Sequence, residues 1–141
     1  MRKHRGFTLV ELVVVVMILG ILAAVAAPKL LGTSSNATDN GIKQTLSVVR
    51  DAIERHAAEN AGALPRSDTE ANFKTDLQPY LRGTFPVCPV GDSGAVAFSV
   101  DNPLSVTGTL GGWIFSSTSG EFAVNSTATT KSDAGVTYDQ L

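Results

Sequence analysis

The chain opens with an almost unbroken apolar run from Phe7 to Val25, in which Glu11 is the single charged residue. Extended to Ala27, the run holds 21 residues. At about 1.5 Å per residue, a helix of this length spans about 30 Å, the thickness of the hydrocarbon core of a bilayer. The pattern therefore predicts a helix that can cross a membrane.

A second apolar pattern follows in residues 42–57, where apolar side chains recur at spacings of three and four. This spacing lays one stripe along one face of a helix. The stripe consists of Ile42, Leu46, Val49, Ile53 and Ala57. Asp51 and Arg55 lie on the opposite face, four residues apart, and predict a solvated side.

Shorter elements are predicted beyond Gly62. Residues 68–81 predict a short helix capped by Asp68 or Thr69, and residues 85–91 predict an extended connection because prolines flank Cys88. A strand is expected at 95–100. Two more strands, at 113–115 and 121–124, predict a hairpin across the loop 116–120, and residues 125–141 read as loop.

Charge divides the chain unevenly. Arg2, Lys3 and Arg5 precede the apolar run, which predicts a cytoplasmic N-terminus and export of residues 28–141. The whole chain has 11 basic and 13 acidic residues; without those three the balance is eight against 13, a net charge of −5. This balance disfavours general nucleic-acid binding, which relies on concentrated Lys and Arg.

Two interpretations of the N-terminus compete. In the first, the run is an ordinary signal peptide with a small-residue site at Ala24-Val25-Ala26, and an exported hydrolase or binding domain is released. This interpretation leaves Glu11 unexplained, although an acidic residue such as Asp inside such a helix costs about 2.5–3.5 kcal/mol. In the second, the cut falls on the cytoplasmic side, between Gly6 and Phe7, and the helix stays in the mature protein.

The string Gly6-Phe7-Thr8-Leu9-Val10-Glu11-Leu12 resembles the signature shared by type IV pilins and type II secretion pseudopilins. In that family a membrane peptidase cuts after the residue matching Gly6 and methylates the new amine of the residue matching Phe7. Glu11 matches the family glutamate. Because an α-amino group titrates near 8, pairing the amine of Phe7 with Glu11 across subunits would remove two desolvation penalties together. Glu11 is thus predicted to fix subunit assembly.

The resemblance implies an α+β, pilin-like fold: a long N-terminal transmembrane and amphipathic helix packed on a small antiparallel sheet. The expected segments are a cytoplasmic leader that is cleaved off (1–6), a transmembrane and filament-core helix (7–31), a loop or bend with an amphipathic helix (32–62), and a periplasmic globular domain (63–141).

Three places along the helix are predicted weak points. Gly20 has low helix propensity, and Pro28 cannot donate to the carbonyl of Ala24, so a kink or local melting is expected between them. The segment Gly32–Gly41 has poor helix propensity and reads as a loop, whereas the resemblance to pilins would continue the first helix through it with a bend.

No catalytic constellation, metal site or cofactor site is predicted, so the chain is not expected to be an enzyme. His56 lies on the amphipathic helix without partners at ligand spacing. Cys88 is the single cysteine, so it has no intrachain disulfide partner, and it is expected to be a small buried side chain. The missing cysteine pair favours pseudopilins over type IV pilins.

The expected function is that of a structural subunit of a type II secretion pseudopilus; the alternative is a type IV pilin for adhesion, motility or DNA uptake. The resemblance implies a homo-oligomeric filament, other pseudopilins or pilins, prepilin peptidase, an assembly ATPase, an inner-membrane platform protein and membrane lipid as partners. The subunit is expected in the inner membrane as a single-pass protein with a periplasmic domain, and then in the filament.

Overall fold

A computed structural model describes residues 7–91, 93–106, 108 and 112–141, without the side chain of Leu31. The helices are α1 (Leu9–Glu59) and α2 (Glu70–Leu77), and the strands are β1 (Val96–Ser99), β2 (Trp113–Ser116) and β3 (Phe122–Val124); short 3-10 helices cover Gln78–Tyr80 and Tyr138–Gln140. The chain divides into two compact units, residues 1–35 and 36–141, and α1 contributes to both. The predicted α+β fold class is confirmed.

Helix α1 continues through Gly32–Gly41, as the resemblance implied, so the loop is wrong. The bend expected there stays a prediction. Within this segment Asp39 is buried in the second unit, and so is Ile42 directly after it, so packing offsets poor helix propensity at the end of the segment. Gly20 and Pro28 also lie inside α1. Their predicted weakness stays a prediction.

The apolar stripe of α1 forms one side of the core of the second unit. Ile42, Leu46, Val49 and Ile53 are buried, and Ala57 at the end of the stripe is half-buried. On the opposite face Arg55 and Asp51 form an exposed ion pair of 3.1 Å. The predicted division of this helix into a packed face and a solvated face is therefore confirmed.

Aromatic rings fill the space between α2 and the sheet. Phe73 of α2 is fully buried and lies 4.7 Å from Phe115, ring centre to ring centre. Trp113 stacks on Phe122 at 5.3 Å, and its indole N–H donates to the carbonyl of Pro86 at 3.0 Å. The hydroxyl of Thr69 accepts from the amide of Asn72, so Thr69 is the cap of this helix.

The sheet has the strand order β1-β2-β3 and is mixed, which corrects the expected antiparallel sheet. β2 and β3 form the predicted antiparallel hairpin, with Trp113 opposite Val124. β1 instead runs parallel to β2, with Val96 opposite Trp113. A parallel pair needs a long connection, and the residues between Ser99 and Trp113 provide one.

The hairpin turn depends on Gly120, which adopts a positive φ of 76°. The Gly120 amide donates to the carbonyl of Ser116, and the Ser116 amide donates to the carbonyl of Glu121, both at 2.9 Å. A side chain at Gly120 would be strained by this φ and would approach Leu64 at 3.0 Å. The predicted loop that ends in glycine is confirmed.

The tail after Asn125, which was expected to be a loop, is hydrogen-bonded to two side chains of α1. Asp39, 1% exposed, accepts from the amide of Ser132 at 2.7 Å and from the hydroxyl of Tyr138 at 3.0 Å. Arg50 donates to the carbonyls of Phe122 at 2.9 Å and Leu141 at 3.1 Å. These contacts order a segment whose sequence is rich in Ser and Thr.

Because the second unit contains its own core, a fragment that begins at Thr33 is expected to fold without the apolar helix. It should be soluble and monomeric, with mixed helix and sheet signals in circular dichroism and one cooperative thermal transition. A fragment that is disordered, or that melts without a cooperative transition, would contradict the packing of residues 42–57 on the sheet.

Asp39→Asn in that fragment is expected to lower the free energy of unfolding by about 1–3 kcal/mol, because it places an amide against donors that need an acceptor. Asp51→Asn, on the exposed face of the same helix, is the matched control and should change stability little. Urea unfolding of both variants measures the difference; equal losses would show that Asp39 is not an anchor.

The stability difference between the wild-type fragment and Asp39→Asn is expected to depend on pH. Burial opposes the charged form of Asp39, but the bonds from Ser132 and Tyr138 outweigh it and lower the pKa of this carboxyl below the usual 3.8. Its contribution is therefore fully present above the pKa of the unfolded state and is lost as pH falls through the lowered pKa of the folded state. The difference in the free energy of unfolding between the wild-type fragment and Asp39→Asn should therefore become smaller in that acidic range.

Candidate functional site

The start of α1 places Glu11 in a reciprocal set of hydrogen bonds with Thr8. The backbone N–H and the hydroxyl of Thr8 each donate to Oε2 of Glu11 at 2.8 Å. The amide of Glu11 donates to the Thr8 hydroxyl at 3.2 Å, and the carbonyl of Thr8 accepts from Leu12 at 3.3 Å. Thr8 is thus the N-cap of α1, and Glu11 occupies the third helical position of a capping box.

This arrangement stabilises both the helix end and the Glu11 carboxylate. The first turn of a helix leaves N–H groups without partners and carries a partial positive charge, so a carboxylate there is stabilised. Only Oε2 of Glu11 takes part; among residues 7 onward that the structure describes, no donor lies within bonding distance of Oε1. One carboxylate oxygen is held and the other is open to an external donor.

The helix surface that follows Glu11 has no polar side within the membrane-length segment. Every described side chain from Phe7 to Leu30 is exposed, including Phe7 at 80%. Among the described residues, α1 is the helix long and apolar enough to cross a membrane. An apolar helix of this kind needs lipid or other protein around it.

Of the other predicted site residues, Phe7 adjoins this cap, Gly20 and Pro28 lie further along α1, and Gly6 is outside the described part of the chain. Gly6 lies outside the described residues, so its role in cleavage stays a prediction. Phe7 directly precedes Thr8 and presents an exposed ring. Gly20 and Pro28 lie further along α1, and a Cβ added at Gly20 would meet no atom within 4 Å. Packing within this chain therefore does not require glycine there.

His56 and Cys88 occupy structural positions. The His56 ring packs edge-on against Tyr80 at 6.0 Å. Cys88 is buried, as expected, and burial raises the pKa of its thiol, which disfavours the reactive thiolate. Ser93, near this cysteine, uses its carbonyl to pair with the Cys88 amide at 3.0 Å.

Thr8 is the residue that the sequence analysis passed over. Its signal was available, because Thr followed three residues later by Glu before an apolar run is the pattern of a capping box. The string Thr8-Leu9-Val10-Glu11 has this pattern. The resemblance accounts for Glu11 as an intersubunit group and does not include its contact with Thr8 at its own helix end.

Comparison with known proteins supports the N-terminal signature. A family profile described as the prokaryotic N-terminal methylation motif matches residues 1–27. The chain is similar to the type II secretion system core protein G of Klebsiella pneumoniae, with 34% identity over 61 residues, which covers 43% of this chain and 44% of that protein. The corresponding protein of Vibrio cholerae is 39% identical over 61 residues, covering 43% and 42%.

A type IV narrow pilus major component, PilA5 of Thermus thermophilus, is 40% identical over 50 residues, covering 36% of this chain and 43% of that protein. The matches span less than half the length of these relatives. No solved structure matches the chain. The long N-terminal helix followed by a small sheet is consistent with a pilin-like fold. The resemblance to the type IV pilin and type II secretion pseudopilin family is confirmed, and it is carried by the N-terminal methylation motif.

Proposed function

We propose that the protein is a structural subunit of a type II secretion pseudopilus. The observation that carries this proposal is the match of residues 1–27 to the N-terminal methylation motif. The matched segment includes the start of a membrane-length helix with apolar side chains exposed on every face. The similarity to type II secretion core proteins G supports pseudopilin over other members of the family. The role is structural, and catalysis is not part of it.

In this proposal the subunit first resides in the inner membrane with residues 1–6 in the cytoplasm and the second unit in the periplasm. Prepilin peptidase cuts after Gly6 and methylates the amine of Phe7. An assembly ATPase and an inner-membrane platform protein then extract the subunit into a filament with copies of itself and other pseudopilins. The basic residues before the helix support this orientation.

Lipid already covers the apolar helix before extraction, so burial of the same surface in a filament contributes little by itself. The favourable terms have to come from helix packing and from pairing of Glu11 with the amine of a neighbouring Phe7, which neutralises two charges in an apolar interior. Energy input by the ATPase is consistent with this balance.

A type IV pilin subunit is the second candidate, favoured by the 40% identity to PilA5. The two candidate functions predict different phenotypes when the gene is deleted. Deletion should abolish export of a type II substrate if the protein is a pseudopilin; loss of surface pili or of twitching motility, with export intact, would favour the pilin.

The mature protein is expected to begin at Phe7 with a methylated amine. Intact and N-terminal mass spectrometry of protein from cells with active prepilin peptidase measures both features. Gly6→Leu should accumulate as uncut precursor, because a side chain hinders approach to the bond after Gly6. A mature start at Ala27, or a retained Met1, would contradict the proposal.

Glu11→Leu is expected to separate maturation from assembly. Membrane insertion should survive because the cost of the acid disappears, and cleavage should survive because Gly6 and Phe7 are unchanged. Filament assembly should fail or fall strongly, since the amine of a neighbouring Phe7 loses its counter-charge and is costly to bury. Shear-released filaments and export of a known substrate are scored at equal protein levels.

Glu11→Gln is the matched companion, because Gln can still accept the bonds from Thr8 in a capping box but carries no charge. It should be processed normally and assemble as poorly as Glu11→Leu. Normal filament yield from either variant would show that the charge of Glu11 is not required for assembly.

A further inference from the structure

The Thr8–Glu11 capping box uses the carboxylate unevenly. Both bonds from Thr8 end on the same oxygen, Oε2, at 2.8 Å each. A carboxylate can accept about four hydrogen bonds through its two oxygens. Capping therefore fixes the position of the Glu11 side chain without using up its ability to accept from another molecule.

The geometry assigns Thr8 as a positioning residue for Glu11: it holds one carboxylate oxygen at the helix end and leaves the other to the amine of a neighbouring subunit. This inference rests on the proposed filament function. It goes beyond that function in two ways. Thr8 and Glu11 together, rather than Glu11 alone, form the group that pairs with the amine, and the cap forms within a single chain before any neighbour is present.

A positioned carboxylate should pair more readily than a free one. An uncapped Glu side chain samples several rotamers, and fixing a long side chain costs conformational entropy at the moment of contact. With Thr8 in place, part of that ordering has already taken place within the subunit. The cap also supplies two donors to a carboxylate that otherwise faces lipid with few partners.

Thr8→Val tests the inference, because it keeps the size and the backbone N–H of residue 8 and removes the hydroxyl. Two of the three capping bonds are lost. Filament yield at equal levels of processed protein is expected to fall roughly fivefold, the equilibrium factor for loss of a typical N-cap. Thr8→Ser restores the hydroxyl and should restore the yield.

Thr33→Val is the matched control on the same helix. The Thr33 hydroxyl donates to the carbonyl of Lys29 at 2.9 Å, and no bond to a carboxylate of the described residues is formed. Its removal should leave filament yield unchanged. A loss equal to that of Thr8→Val would overturn the inference, and so would a Thr8→Ser variant that fails to recover.

A second measurement keeps the test decisive if Thr8→Val also slows cleavage. In the full chain reconstituted in phospholipid bilayers, the solid-state NMR signal of the Glu11 carboxyl carbon reports its hydrogen bonds. It should shift in Thr8→Val, return in Thr8→Ser and stay in place in Thr33→Val; an unmoved signal in Thr8→Val would overturn the inference.

The two proposals fail separately. If Glu11→Leu assembles normally, the assembly role of Glu11 is wrong, and with it the role assigned to Thr8. If Glu11→Leu fails while Thr8→Val assembles at the wild-type level, the assembly role of Glu11 stands and only the positioning by Thr8 is wrong.

Discussion

The dominant constraint on this protein is a helix segment with no polar face. From Phe7 to Leu30 every described side chain is exposed, and nearly all are apolar, so water is excluded as a stable surrounding. A bilayer and a bundle of like helices are the two environments that satisfy such a surface. One acid interrupts it. That acid lies where it is least unfavourable, in the first turn, where Thr8 and the helix dipole stabilise a carboxylate.

In the second unit, a polar C-terminal tail is ordered without a disulfide. Its single cysteine, Cys88, is buried in the core and is free. Asp39 and Arg50 reach the tail from α1 instead, through Ser132, Tyr138 and Leu141. A buried carboxylate with good donors on both oxygens replaces a covalent link by directional bonds, which makes the tail dependent on the charge state of one side chain.

Sequence periodicity predicted the elements that pack by one face. The stripe from Ile42 to Ile53 and the hairpin that turns at Gly120 were readable because side-chain spacing and turn chemistry are local signals. The parallel direction of β1 could not be predicted, because the alternation of side chains along a strand is the same whether its neighbour runs parallel or antiparallel. Tyr138 was missed as well: one aromatic in a tail rich in Ser and Thr gives no periodicity, and its burial depends on Asp39, 99 residues away.

Glu11 was singled out from the sequence, but its bonds to Thr8 at its own helix end were missed, and both outcomes have one cause. A lone acid in an apolar run draws attention to an external partner, because its insertion cost demands an explanation. Part of that cost is already met within the chain by Thr8, at a spacing of three residues. A carboxylate with one oxygen bonded to Thr8 and the other open suits both environments of the proposed function: lipid around the monomer, and the amine of a neighbouring subunit in the proposed filament.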